Sequence, residues 1–161
     1  MIIVADSSPL IFLSKIRRLA LVRSVFGRDV RVPQAVVREL LTPDVDPVEK
    51  DVIESFLERC SVESVRSPRH FAKAMSAADN AALTLALRSK ADFLLCDDRI
   101  VRAMAEIEGV RPMGTLGVLL RATRKKILSN SETRQLIDLL VSTHHLRIGI
   151  EVYQAVMKEL T

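Results

Sequence analysis

Two aspartates stand at the ends of the two most continuous short apolar runs in this 161-residue chain: Asp6 follows Ile2-Ile3-Val4-Ala5, and Asp97 follows Asp92-Phe93-Leu94-Leu95-Cys96. Runs this short and this apolar read as strands buried on both faces of a parallel sheet. Sites in such sheets form outside the carboxyl ends of the strands, so the two carboxylates meet at one edge if their strands are neighbours. Carboxylates gathered there repel one another. A hard divalent cation such as Mg²⁺ or Mn²⁺, which takes oxygen ligands, is the economical way to neutralise them, and it turns a bound water into a nucleophile. Glu39, on the second helix, and Asp79, at the start of the helix before the fourth strand, are placed to join the pair.

Each of these acids also has a structural reading. Asp6 suits a strand-end turn ahead of a helix N-terminus, and Glu39, next to Arg38, suits the wet face of its helix. Ser76 and Asp79 have capping-box spacing, and one of Asp97 and Asp98 suits the cap of the helix that begins at Arg99. Other chemistries have less support. His144 and His145 are adjacent, so on a helix they point in different directions, and His70 is lone and expected to be exposed. Cys60 and Cys96 read as small structural hydrophobes without an activating base. Arg121, Arg124, Lys125 and Lys126 read either as a solvated helix end or as a phosphate-facing patch.

The elements that must position the acids follow from capping and periodicity. Ser8-Pro9 starts a helix expected to run from Leu10 to about Phe26, a short strand covers Val30–Val32, and Pro33 opens the helix that carries Glu39. Asp46-Pro47 repeats the cap-then-proline signal, with Val48, Val52, Ile53, Phe56 and Leu57 as one apolar stripe. A weak strand near Ser61–Val65, a polar connection at Arg66–His70 and a helix over 79–90 lead to the Asp97 strand. A helix from Arg99 to Glu108 ends at Gly109, a strand covers Val110–Met113, and Gly114 opens a helix over 115–127. Ser129 and Glu132 box the next helix, and Val152, Tyr153, Val156, Met157 and Leu160 stripe the last. Five strands alternating with helices imply right-handed crossovers and a mostly parallel sheet covered on both faces.

Composition agrees with one domain over residues 1–161. The chain is 48% hydrophobic but only 4% aromatic, so the core must be aliphatic. Its net charge of +4 is uneven: residues 1–40 and 111–161 each carry +4, while 41–70 carry −3. Basic flanks around acidic positions suit a polyanion brought to a cation. Two cysteines, no signal-peptide pattern and no membrane-length apolar run lead us to expect a cytoplasmic protein with no membrane role.

Four segments, taken in order, resemble the PIN-domain nucleases, in particular the VapC-like toxins. They are Val4-Ala5-Asp6-Ser7-Ser8-Pro9-Leu10-Ile11, Val32-Pro33-Gln34-Ala35-Val36-Val37-Arg38-Glu39-Leu40, Leu94-Leu95-Cys96-Asp97-Asp98-Arg99, and Met113-Gly114-Thr115-Leu116-Gly117-Val118-Leu119-Leu120. They span residues 2 to about 128, with 129–161 as terminal helices. The resemblance implies a three-layer α/β/α fold around a five-stranded, mostly parallel sheet. It implies a metal-dependent ribonuclease that uses one or two Mg²⁺ or Mn²⁺ ions, with RNA as substrate, a small antitoxin as partner and a homodimer as assembly.

The carried-over catalytic acids are Asp6, Glu39, Asp79 and Asp97, with Asp6, Asp79, Asp97 and Asp98 as metal ligands. Ser7 and Thr115 support them, and Arg99 and Arg102 receive phosphates. The chain departs from the subgroup at Ala81, where a second acid is common. That departure motivates an alternative, a weakened PIN-like module that binds RNA or a protein partner. A phosphoacceptor receiver is a third reading, but it wants paired acids after the first strand, whereas Asp6 lies between Ala5 and Ser7.

Overall fold

The strand Ile2–Ala5 (β1) occupies the middle of the sheet, and the other strands are arranged about it. The computed structural model describes all residues, 1–161. Asp29–Pro33 (β2) and Phe93–Leu95 (β4) pair with β1 on either side, Ser61–Glu63 (β3) extends from β2, and Pro112–Met113 (β5) extends from β4. All four pairings are parallel, in the order β3-β2-β1-β4-β5. The central position explains the lack of apolar–polar alternation: Ile3, Val4, Ala5, Leu94 and Leu95 are wholly inaccessible to solvent. Burying each Ile, Val or Leu side chain of this kind contributes about 1.5–3 kcal/mol.

Helices connect and cover the strands: Ser7–Lys15 (α1), Leu21–Phe26 (α2), Gln34–Leu40 (α3), Pro47–Leu57 (α4), Ala77–Arg88 (α5), Arg99–Ile107 (α6), Thr115–Arg124 (α7), Asn130–Ser142 (α8) and Ile150–Glu159 (α9). With the sheet they make the expected three-layer α/β/α arrangement. A single cluster of 41 buried apolar residues runs from Ile3 to Leu160, so the terminal helices share the core with the sheet. No helix is long and apolar enough to cross a membrane.

Several local expectations are corrected. The helix expected from Leu10 to Phe26 is two helices, α1 and α2. Arg17 takes a left-handed φ of 56° between them, and the amide of Arg18 donates back to the carbonyl of Leu13. The turn brings Ile16 and Leu19 into the core, and no glycine or proline announces it. The cap of α1 is Asp6 rather than Ser8, and Pro33 ends β2 and caps α3 instead of starting it. Apolar stripes are narrower than periodicity suggests: Val48 is 59% exposed and Val152 is 50% exposed, while Ile53, Phe56, Leu57, Val156 and Leu160 are buried. Strands β3, β4 and β5 are shorter than expected, and His144 and His145 lie past the end of α8. The basic cluster divides, since Arg124, Lys125 and Lys126 are exposed, whereas the Arg121 guanidinium lies over the rings of Phe26 and Phe93.

Candidate active site

Register alone brings the first two acids to one edge of the sheet. Ala5 pairs with Leu95, and the amide of Asp6 donates to the Leu95 carbonyl at 2.9 Å, so Asp6 and Asp97 leave neighbouring strands at the same carboxyl edge. Asp6 is 2% exposed and accepts the amide of Ser7 at 2.8 Å as it caps α1. The neighbouring Ser7 hydroxyl donates to Glu39 Oε2 at 2.7 Å, which draws a carboxylate from α3 towards Asp6.

Asp79 arrives from the first turn of α5. The Ser76–Asp79 capping box does form, with the Ser76 amide donating to Asp79 Oδ2 at 2.8 Å and the Asp79 amide donating to Ser76 Oγ at 3.1 Å. The capping role is real, and the box fixes the Asp79 carboxylate in the first turn of α5, from where its charge acts on Asp6. Burial first, then the charge of Asp79, push the Asp6 carboxyl up to about 8; a hydrogen bond with Asp79 and the charge of Glu39 add to this, while the Ser7 amide pulls the other way. A buried acid held this high lacks a counter-charge.

Asp97 is held differently. Its Oδ1 accepts the Thr115 amide at 2.7 Å and its Oδ2 accepts the Thr115 hydroxyl at 2.7 Å, so both oxygens are clamped by the first residue of α7. Burial raises its pKa, while the Thr115 bonds and Arg102 act against that rise. Arg102 Nη1 donates to the Cys96 carbonyl at 3.4 Å, and Arg99 is exposed. Asp98 is exposed and caps α6, accepting the amides of Ile100 and Val101 on Oδ1 at 2.9 and 3.1 Å.

The donor set fits a hard divalent cation chemically, being all oxygen and short of positive charge at Asp6. It is not a ready-made cage. No group of three His, Cys, Asp or Glu side chains stands arranged to hold an ion, and the reason is visible in the bonds: Asp97 is turned to Thr115, Asp98 to its helix amides, and Glu39 to Ser7. Every member nonetheless sits at a helix start or against one. Asp6 and Asp98 are caps, Asp79 is in a first turn and Asp97 faces the α7 amide, so partial positive charge from four helix N-termini meets the acids.

Sequence reasoning did not assign Gly114 to the site. A Cβ there would lie 2.8 Å from Asp97 Oδ1 and 3.0 Å from Arg102 Nη1, so the absence of a side chain is what lets α7 close on Asp97. Nor did it single out Asn80, which is buried beside Asp79. The available signal was the polar pair Asn80 and Thr84, four apart among the Ala and Leu residues of α5. The cysteines play no part: both are free, burial pushes Cys60 up to about 11, and burial raises Cys96 as well.

A family model described as a PIN domain matches residues 2–161. Among curated proteins, no relative matches the chain.

Proposed function

From the premise that this chain belongs to the PIN-domain family, whose members are typically nucleases that use divalent metal ions, we propose that it is a Mg²⁺- or Mn²⁺-dependent endoribonuclease of the VapC-like kind. The observation that carries this reading is the buried Asp6 at the carboxyl end of the central strand β1, with Glu39 tied to the adjacent Ser7 and Asp97 leaving the neighbouring strand at the same edge; burial and the charge of Asp79 raise the pKa of Asp6 accordingly. Such a group is stabilised by positive charge delivered with a substrate that is itself an anion.

Asp6, Glu39, Asp79 and Asp97 form the acid set. They would hold a divalent ion, which would supply Lewis acidity towards a phosphoryl oxygen and would acidify a water, the chemistry that hydrolysis of an RNA phosphodiester needs. The chain's own residues do the positioning. Asp79 is fixed by its capping box, Glu39 by Ser7, and Asp97 by both donors of Thr115. Arg102, near Asp97, and the exposed Arg99 receive phosphate, aided by the N-terminus of α6. We set Asp98 apart from the four as the cap of α6; both helix amides that it accepts fall on Oδ1.

We further place the protein as the toxin of a toxin–antitoxin pair, cytoplasmic, homodimeric and neutralised by a small antitoxin. Growth arrest on expression of the wild type but not of Asp6→Asn is the corresponding test. For the nuclease itself, single-stranded RNA is incubated with Mn²⁺ or with chelator. Cleavage that needs the metal and disappears in Asp6→Asn, with circular dichroism unchanged, is expected; metal-independent cleavage surviving that substitution overturns the mechanism.

A second reading, a PIN-like module that binds RNA or a protein without cutting, is favoured by two observations: the position of a possible further acid is the buried Ala81, and no three-ligand set is preassembled. Absence of Mn²⁺ binding by calorimetry would select it.

A further inference from the structure

Residues 64–76 join β3 to α5 without helix or strand of their own. Connections this long and irregular are uncommon in compact domains and often functional. This one is fastened along its length by three side chains spaced four apart on α5. Arg88 donates to the carbonyls of Arg66 and Ser67 at 2.6 and 2.9 Å, Thr84 Oγ1 accepts the Arg69 amide at 2.9 Å, and Asn80 Oδ1 accepts the Phe71 amide at 3.0 Å. The side-chain Nδ2 of Asn80 also donates to the Ser76 carbonyl at 3.1 Å. Thr84 and Asn80 are buried, so the ladder satisfies main-chain groups that have no sheet or helix partner. It climbs α5 from its C-terminal end and stops at the residue next to Asp79.

The outer side of this strap is basic. Arg66 and Lys73 are exposed and neither takes part in an ion pair, whereas His70 Nδ1 lies 3.4 Å from the side-chain amide of Asn80, and Arg69 is paired with Glu108 and lies 4.6 Å over the Phe71 ring. A cluster of acids repels the phosphates of a bound strand, so basic groups have to hold that strand where it leaves the acids.

We propose that the strap is where the RNA backbone runs beside the site: Arg66 and Lys73 hold phosphates along the strand as it leaves the acids, and Asn80 is the positioning residue that keeps the strap in register with Asp79. The proposal rests on the nuclease reading above. Because the strap is already ordered, little entropy is lost in ordering it on binding. Because Phe71 is half-buried under Arg69, the strap grips phosphates and does not stack bases.

Anisotropy of a labelled single-stranded RNA in chelator reads binding without cleavage, and steady-state cleavage with Mn²⁺ reads KM and kcat. The double variant Arg66→Ala/Lys73→Ala is expected to raise Kd about tenfold and to reduce the log–log salt slope by about 1.4, two contacts at about 0.7 each. It is expected to raise KM with kcat held within about twofold. Asn80→Ala should shift KM the same way. Since that variant also risks the fold, the exposed pair decides. Wild-type Kd and salt slope in the double variant overturn the proposal, as does a wild-type protein that binds no RNA. Strap-dependent binding in a protein that never cleaves removes the nuclease reading and leaves the strap. Cleavage with unaltered KM in the double variant does the reverse.

Discussion

The hydroxyl of Ser7 donates a 2.7 Å hydrogen bond to Oε2 of Glu39 and so ties the first residue of α1 to a carboxylate on α3. Glu39 is otherwise an exposed helix residue. One hydroxyl thus makes the difference between a freely solvated acid and one tied to the residue next to Asp6.

Ser7→Ala should therefore lower kcat by on the order of tenfold and remove about 0.5–1.5 kcal/mol of stability, the net worth of one such bond. Cleavage rates alongside urea denaturation check this, with Ser7→Thr retaining both. An unchanged rate in the alanine variant would show that Glu39 does not act through Ser7.

Gly114→Ala tests the close approach of α7 to Asp97. The new methyl would meet Asp97 Oδ1 at 2.8 Å and Arg102 Nη1 at 3.0 Å, so either the carboxylate or the helix must move. Overpacking of this kind costs about 1–3 kcal/mol. Cleavage should fall further than that loss explains, measured well below the variant's melting temperature. Wild-type turnover in this variant would mean that Asp97 can be displaced without consequence.

Asp6 makes the metal-free protein sensitive to pH. Its carboxyl lies near 3.8 when unfolded and is pushed up to about 8 when folded, by burial and then by Asp79. Between those values the native state holds a proton that the unfolded state has lost. Stability therefore falls as pH rises through this window, by at most about 1.4 kcal/mol per pH unit, and levels off above it. Asp97, also raised by burial, adds in the same direction. Urea titrations in chelator across the window should show the decline, and Asp6→Asn should flatten it. Binding of Mn²⁺ must displace the same proton, so affinity should tighten with pH up to about 8; a pH-independent affinity would argue against Asp6 as a ligand.

Adjacent aspartates should separate cleanly. Asp98 accepts two amides as the cap of α6, so Asp98→Ala should remove about 1 kcal/mol of stability while Asp98→Asn, another good cap, stays near neutral in both stability and cleavage. Asp97→Asn should abolish cleavage. Loss of cleavage in Asp98→Asn at unchanged stability would return Asp98 to the ligand set.

How much of this was legible beforehand varies residue by residue. The two strands carrying Asp6 and Asp97 were readable because a strand covered on both faces must be apolar throughout, and Ile2–Ala5 and Phe93–Leu95 are. The caps at Asp46 and Ser129 and the stop at Gly109 were readable because they depend on contacts within a few residues. The break at Arg17 was not, since it is imposed by burial of Ile16 and Leu19 and not by any local breaker. Exposure of Val48 was equally hidden, because a stripe's width depends on what packs against it.

The sequence by itself thus determined which residues are acids at strand ends and helix starts, and the layered fold those elements must form. Tertiary structure alone decided that β1 and β4 are neighbours, that Ser7 reaches Glu39, that Thr115 claims both oxygens of Asp97 over the space left by Gly114, and that Asn80 anchors the strap beside Asp79. The physical reason is range: propensity and capping act over one helical turn, whereas the state of a carboxylate depends on burial and on charges that arrive from distant parts of the chain.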